Sequence, residues 1–75
     1  MQNNKDTRLL KKLGERIRQH RKAKNMTQVE LAVACDNHAE QIGRIERGEL
    51  NVTISTLKMI AKALNVKLSV LVDVD

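Results

Sequence analysis

The chain has 75 residues, with 14 Lys/Arg against 9 Asp/Glu, a formal net charge of +5, no Phe, Tyr, Trp or Pro, and a single Cys. That length makes one small domain, 1–75, with a modest core of Leu, Ile, Val, Ala and Met, for which a second subunit is a natural extra source of stability. The missing aromatics argue against stacking on single-stranded nucleic acid or RNA loops. One cysteine makes no intrachain disulfide, no apolar run approaches membrane length, and the polar N-terminus lacks a signal-peptide core, so the expectation is a cytoplasmic protein.

The basic charge is uneven. Residues 1–24 hold nine Lys/Arg against Asp6 and Glu15, whereas residues 25–75 hold five against seven acids. A polyanionic partner is therefore expected to meet the N-terminal part of the chain. Residues 1–5 are polar and read as a frayed terminus. Asp6 or Thr7 caps a first helix to about Lys24, with Leu9, Leu10, Leu13, Ile17 and Ala23 at helical spacing. Gly14 interrupts this pattern at a cost of about 1 kcal/mol relative to alanine, so either the helix starts later or another element packs close to it. Asn25 ends the helix.

Thr27 with Glu30 forms a capping box that opens a second helix, carrying Val29, Leu31, Ala32 and Cys35 on its apolar side. Asp36 and Asn37 tolerate a left-handed turn. Asn37 with Glu40 reads as a second cap-plus-acid pair, starting a helix that stops at Gly48. At about 100° per residue, Ile42 and Ile45 define an inward face. Glu40, Gly43, Arg44 and Arg47 fall opposite, with Ala39 beside them. A short polar face bearing arginines, following a helix and a tight turn, has the chemistry of a recognition helix: arginine grips guanine bidentately and glutamate accepts from cytosine in the major groove.

Thr53 caps a fourth helix through Leu64, with Ile54, Leu57, Ile60, Ala61 and Leu64 as a buried stripe and Met59 in the core; Asn65 closes it. Residues 66–75 are ambiguous. Val66, Leu68, Val70, Val72 and Val74 alternate as in a strand, yet Leu68, Leu71 and Val72 also fit one helical turn. A lone strand has no partner within the chain, so its natural partner is the same strand of a second copy.

Taken together, TQxELAxxxxxxxxxIxRIExG, the later LxxIAxAL and the earlier LGERIRQHRKAKNMTQ resemble the repressor/Cro-type (XRE family) helix-turn-helix proteins, without gaps from about Leu13 to Leu71. The resemblance implies an all-α fold, a compact repressor-like bundle of four to five helices. Its C-terminal segment is either a helical turn or a dimer-forming strand. By position, Thr27 to Cys35 is then the supporting helix and His38 to Glu46 the recognition helix. Ala39, Glu40 and Arg44 match base-reading positions. Gln28 matches a phosphate clamp, where outward amides and the helix dipole favour an anion. Arg47 and the loop after it match backbone contacts, and His38, opening the recognition helix, is a further candidate for one. Arg21 and Glu46 match a largely buried structural ion pair, in which removing one partner leaves a charge uncompensated. The chain departs from the family at Asp36, where glycine is common, at Val52, where proline is common, and in its valine-rich tail.

Other chemistry finds little support. Cys35 reads as a buried hydrophobe, and His20 and His38 lack ligand spacing, so no metal is expected. No catalytic set, phosphate loop or cofactor motif is visible, and the length leaves no room for a separate ligand-sensing domain. The reading is a sequence-specific double-stranded DNA-binding transcriptional repressor that reads an inverted repeat as a homodimer, and not an enzyme. The alternative is the antitoxin of a toxin–antitoxin pair, which docks a toxin protein through its basic helix or its tail.

Overall fold

A computed structural model describes residues 6–74; the expected frayed segment 1–5 and Asp75 lie outside the described residues. The order is α1 (Thr7–Ala23), α2 (Gln28–Ala34), α3 (Ala39–Glu46), α4 (Ile54–Leu64) and α5 (Leu68–Val72), with no strand among the described residues. Asp6 starts α1, its side chain accepting from the Leu9 amide at 3.0 Å. The capping box of α2 forms as its residue types dictate: the Glu30 amide donates to the Thr27 hydroxyl at 3.0 Å, and the Thr27 amide donates to the Glu30 carboxylate at 2.8 Å.

The helices α1 to α4 all stop in the same way. A residue turns left-handed, and two backbone amides fold back onto free carbonyls of the last helical turn. Asn25 (φ 56°), Asp36 (φ 53°), Gly48 (φ 74°) and Asn65 (φ 57°) make these turns. Each returns one amide three residues back and the next amide five residues back, as in Asp36 to Val33 at 3.3 Å and Asn37 to Ala32 at 2.8 Å. Asn and Asp can do this without glycine because their short polar side chains tolerate the left-handed region. Asp36 thus makes the turn at the position where the resemblance implied glycine.

α1 runs unbroken through Gly14, and close packing explains the glycine. A Cβ there would sit 2.5 Å from the Ile45 carbonyl oxygen and nearer still to that of Glu46. The C-terminal turn of α3 therefore rests directly on the backbone of α1. Leu10, Leu13 and Ile17 are buried beneath it, whereas Leu9 and Ala23, expected on the same stripe, face solvent.

The core joins Leu13 and Ile17 to Leu31, Ala32 and Cys35 of the α2 region, Ile42 and Ile45 of α3, and Leu57, Ile60, Ala61 and Leu64 of α4. Two residues assigned to that core from sequence lie outside it: Ile54 is 63% exposed and Met59 47% exposed. They stand at the first turn and on the outer flank of α4, and a helix facing its neighbours along one stripe covers only that stripe. The valine-rich tail forms a helix. A strand there would leave its backbone groups without partners in this chain, whereas a helical turn satisfies them locally and buries Leu71 completely. Arg16 fixes this turn to α1 by donating from Nε to the Val70 carbonyl at 2.6 Å.

Candidate nucleic-acid interface

The outward side of α3 is built on the burial of its inner side. Ile42 is fully buried and Ile45 nearly so, which turns Glu40, Arg44 and Arg47 to solvent. Ala39 lies half-buried against the core at the helix start. Two expectations change here. Gly43 is buried rather than outward: a Cβ on it would meet the Arg47 guanidinium at 3.1 Å and the Gln28 amide oxygen at 3.4 Å. The small residue lets these two polar side chains lie across α3. The start of α3 also lacks the expected Asn37–Glu40 pair. His38 holds the cap position with no side-chain hydrogen bond, and Asn37 instead accepts from the His38 amide at 2.7 Å. One residue of offset moves Glu40 to the second helical position, where it cannot close a capping box. His38 itself is exposed at the helix entrance.

Beneath this face lies a buried charge set. The Arg21 guanidinium donates twice to Glu46, at 2.7 Å from Nε and 3.0 Å from Nη2, and once to the Met26 carbonyl at 2.7 Å. Gln28 donates from Nε2 to the same Glu46 carboxylate at 3.1 Å. The hydrogen bonds from Arg21 to Glu46 hold the guanidinium proton more tightly than usual, against the opposing effect of burial. Glu46 is 6% and Arg21 8% exposed, and no buried side-chain polar atom among the described residues lacks a partner. Full pairing offsets the cost of placing both charges in the interior. The set joins α1, the start of α2 and the end of α3, so the angle between the two helices of the motif is fixed by directional bonds as well as by apolar packing. The role of Glu46 as acceptor for Gln28 is not legible in sequence, because the two residues lie 18 positions apart.

A second charge set sits on the surface just beyond. Arg47 donates to Glu49 from Nε at 2.8 Å and from Nη2 at 3.3 Å, and Arg44 Nε approaches the same carboxylate at 3.9 Å. The Arg47 pKa is raised, first by its hydrogen bond to Glu49, then by the charges of Glu49 and Glu40. The pairing of Glu49 with Arg47 and Arg44 escaped sequence reasoning because its spacing from them is not the three or four residues that align side chains along a helix. The signal that could have found it is Gly48. A left-handed residue after a helix brings the next residue back over the last turn, and here the Glu49 amide bonds the Arg44 carbonyl at 2.9 Å. Gly48 also lies against Lys11 of α1, where a Cβ would approach the Lys11 backbone to 2.8 Å.

These pieces place Gln28, Arg47 and the Arg21–Glu46 pair around one shallow surface depression, together with Arg18 of α1. His38, Ala39, Glu40 and Arg44 continue along α3. Cys35 is buried beneath, and burial pushes its thiol pKa up. No helix among the described residues is long and apolar enough to cross a membrane.

Comparison with known proteins fits this geometry. Residues 17–71 match the Helix-turn-helix family. Control protein C.SmaI of Serratia marcescens is 47% identical over 53 residues, covering 71% of this chain and 63% of that protein. Control protein C.BamHI of Bacillus amyloliquefaciens is 45% identical over 61 residues, covering 80% of this chain and 75% of that protein. Among solved structures, the restriction-modification controller protein C.AhdI from Aeromonas hydrophila superposes with a TM-score of 0.82 at 34% identity, covering 83% of this chain and 94% of that one.

Proposed function

We propose that this chain, which belongs to the helix-turn-helix family, is a DNA-binding transcriptional regulator that reads an inverted repeat as a homodimer. The observation that carries the reading is the exposed Glu40, Arg44 and Arg47 row on α3, held at a fixed angle to α2 by the buried Arg21–Glu46–Gln28 set. In this reading Ala39, Glu40 and Arg44 meet base edges, while Gln28, His38 and Arg47 meet the phosphate backbone. Gln28 gives one Nε2 hydrogen to Glu46, which holds the side chain in place, and keeps the second to donate to a phosphate. The basic residues of α1 supply the general attraction to the polyanion.

One eight-residue helix contacts few base pairs, and two copies related by a twofold axis double the site. The half-sites are then about one turn, roughly 34–36 Å, apart. The relatives named as controllers of restriction-modification make the genes of such a system the first place to seek the site.

Selection from a random duplex pool, followed by binding of labelled DNA at two salt concentrations, tests the proposal. An enriched inverted repeat with salt-sensitive binding is expected. Failure to enrich any sequence, with weak binding to all duplexes alike, would remove sequence reading; a partner protein, such as a toxin, would then be the place to look.

A further inference from the structure

The surface charge set around Glu49 goes beyond this reading and rests on it. We propose that Glu49 is a built-in competitor for the DNA phosphate, whose carboxylate occupies on Arg47 the position that phosphate would take and must be displaced by any duplex that binds. The guanidinium fork matches carboxylate and phosphate with the same two-pronged geometry. In the free protein both prongs of Arg47 face Glu49, at 2.8 and 3.3 Å, and Arg44 leans on the same group at 3.9 Å. The position of Glu49 follows from the chain path. Gly48 turns at φ 74° against the Lys11 backbone, and the Glu49 amide is fastened to the Arg44 carbonyl at 2.9 Å.

The consequence is a recognition surface without net charge, in which Glu40 and Glu49 balance Arg44 and Arg47. Random DNA presents phosphates but no matching base edges, so it must displace Glu49 while gaining only one phosphate contact. The selected site also gains base contacts from Arg44. Glu49 thereby lowers affinity for both by about the same factor without touching DNA, and only the selected site has base contacts to make up the loss. Exchange of partners has a further mark. Salt screens the Arg47–Glu49 pair as it screens the DNA, so the cost of displacing Glu49 shrinks as salt rises.

Glu49→Gln, Arg47→Ala and the double variant are measured against a random duplex and the selected site over a range of salt, with circular dichroism as a check on folding. Glu49→Gln is expected to bind the random duplex and the selected site each about fivefold tighter at low salt. That gain should shrink as salt rises, so the slope of log K against log salt steepens. In the Arg47→Ala background both effects should fall to less than half, the remainder coming from the Arg44–Glu49 pair at 3.9 Å. Unchanged affinity and slope for Glu49→Gln would overturn the inference while leaving the proposed function standing. Weaker binding confined to the selected site would also overturn it, since Glu49 would then be a base contact. Wild-type protein that shows no salt-sensitive duplex binding would overturn the proposed function, and this inference with it.

Discussion

Two arginine–glutamate sets lie at the C-terminal end of α3, made from the same side-chain types and about the same hydrogen-bond lengths. Arg21 and Glu46 are closed off from water; Arg47, Arg44 and Glu49 are open to it, with side chains about half exposed. In the interior the carboxylate has no alternative partner of comparable quality, so the set behaves as part of the framework. At the surface, water and salt compete for every bond, and the pairs are exchangeable. Geometry alone does not separate framework from function here; access to solvent does.

The widest way to break the comparison is to remove one member of the buried set. Arg21→Ala or Glu46→Ala is expected to lower stability by about 3–5 kcal/mol in urea unfolding, because each leaves a buried charge unmatched. A loss no larger than that of a surface residue would place both sets in the same class. Gly14→Ala comes next. Alanine favours helices by about 1 kcal/mol over glycine, yet the new Cβ would press on the Ile45 and Glu46 carbonyls. A net loss of about 1–3 kcal/mol is expected, and a gain would show that α3 can lift away from α1.

On the exposed side, Arg44→Ala should leave the urea midpoint unchanged and weaken the selected DNA site by about 1–3 kcal/mol, with relaxed preference at one base pair. Equal losses on selected and random DNA would make Arg44 a phosphate contact. The smallest effect concerns Cys35. Its thiol is buried with a raised pKa, so the folded state keeps its proton to higher pH than the unfolded chain. Stability should then fall slightly as pH rises through the unfolded thiol pKa, and not at lower pH. A thiol reagent should modify Cys35 only as fast as the protein unfolds; rapid modification of the folded protein would show that the α2 turn opens locally.

The stops of α1 to α4 were legible because they are local: Asn25, Asp36, Gly48 and Asn65 carry their left-handed tolerance in the residue itself. Gly14 was legible as an anomaly, and only the fold shows that the α3 carbonyls cause it. The Arg21–Glu46 pair came from family resemblance, since nothing in the spacing of residues 25 apart announces a contact. The wheel placed Arg44 and Glu40 outward correctly but misplaced Gly43, because a wheel does not know that α2 sends Gln28 across that side. Ile54 and Met59 were misassigned for a related reason: a helical stripe tells which residues share a side, and the number of neighbours decides how much of it is covered. The tail could be read two ways because residues 66–75 carry both periods at once, and the outcome is a helical turn that buries Leu71.

The attachment of α5 also sets an order on synthesis. Leu71 is fully buried and Val70 accepts from Arg16, 54 residues earlier. A nascent chain that has exposed α1, α2 and α3 outside the ribosome still lacks the piece that closes the core over α1. Arg21, Gln28 and Glu46 have all emerged by then, but they are joined in a domain not yet sealed. Binding competence should therefore arrive in one step, when residue 71 docks against α1, rather than build up helix by helix. A chain truncated at Asn65 is expected to be cut by protease throughout α1, like the unfinished nascent chain it imitates.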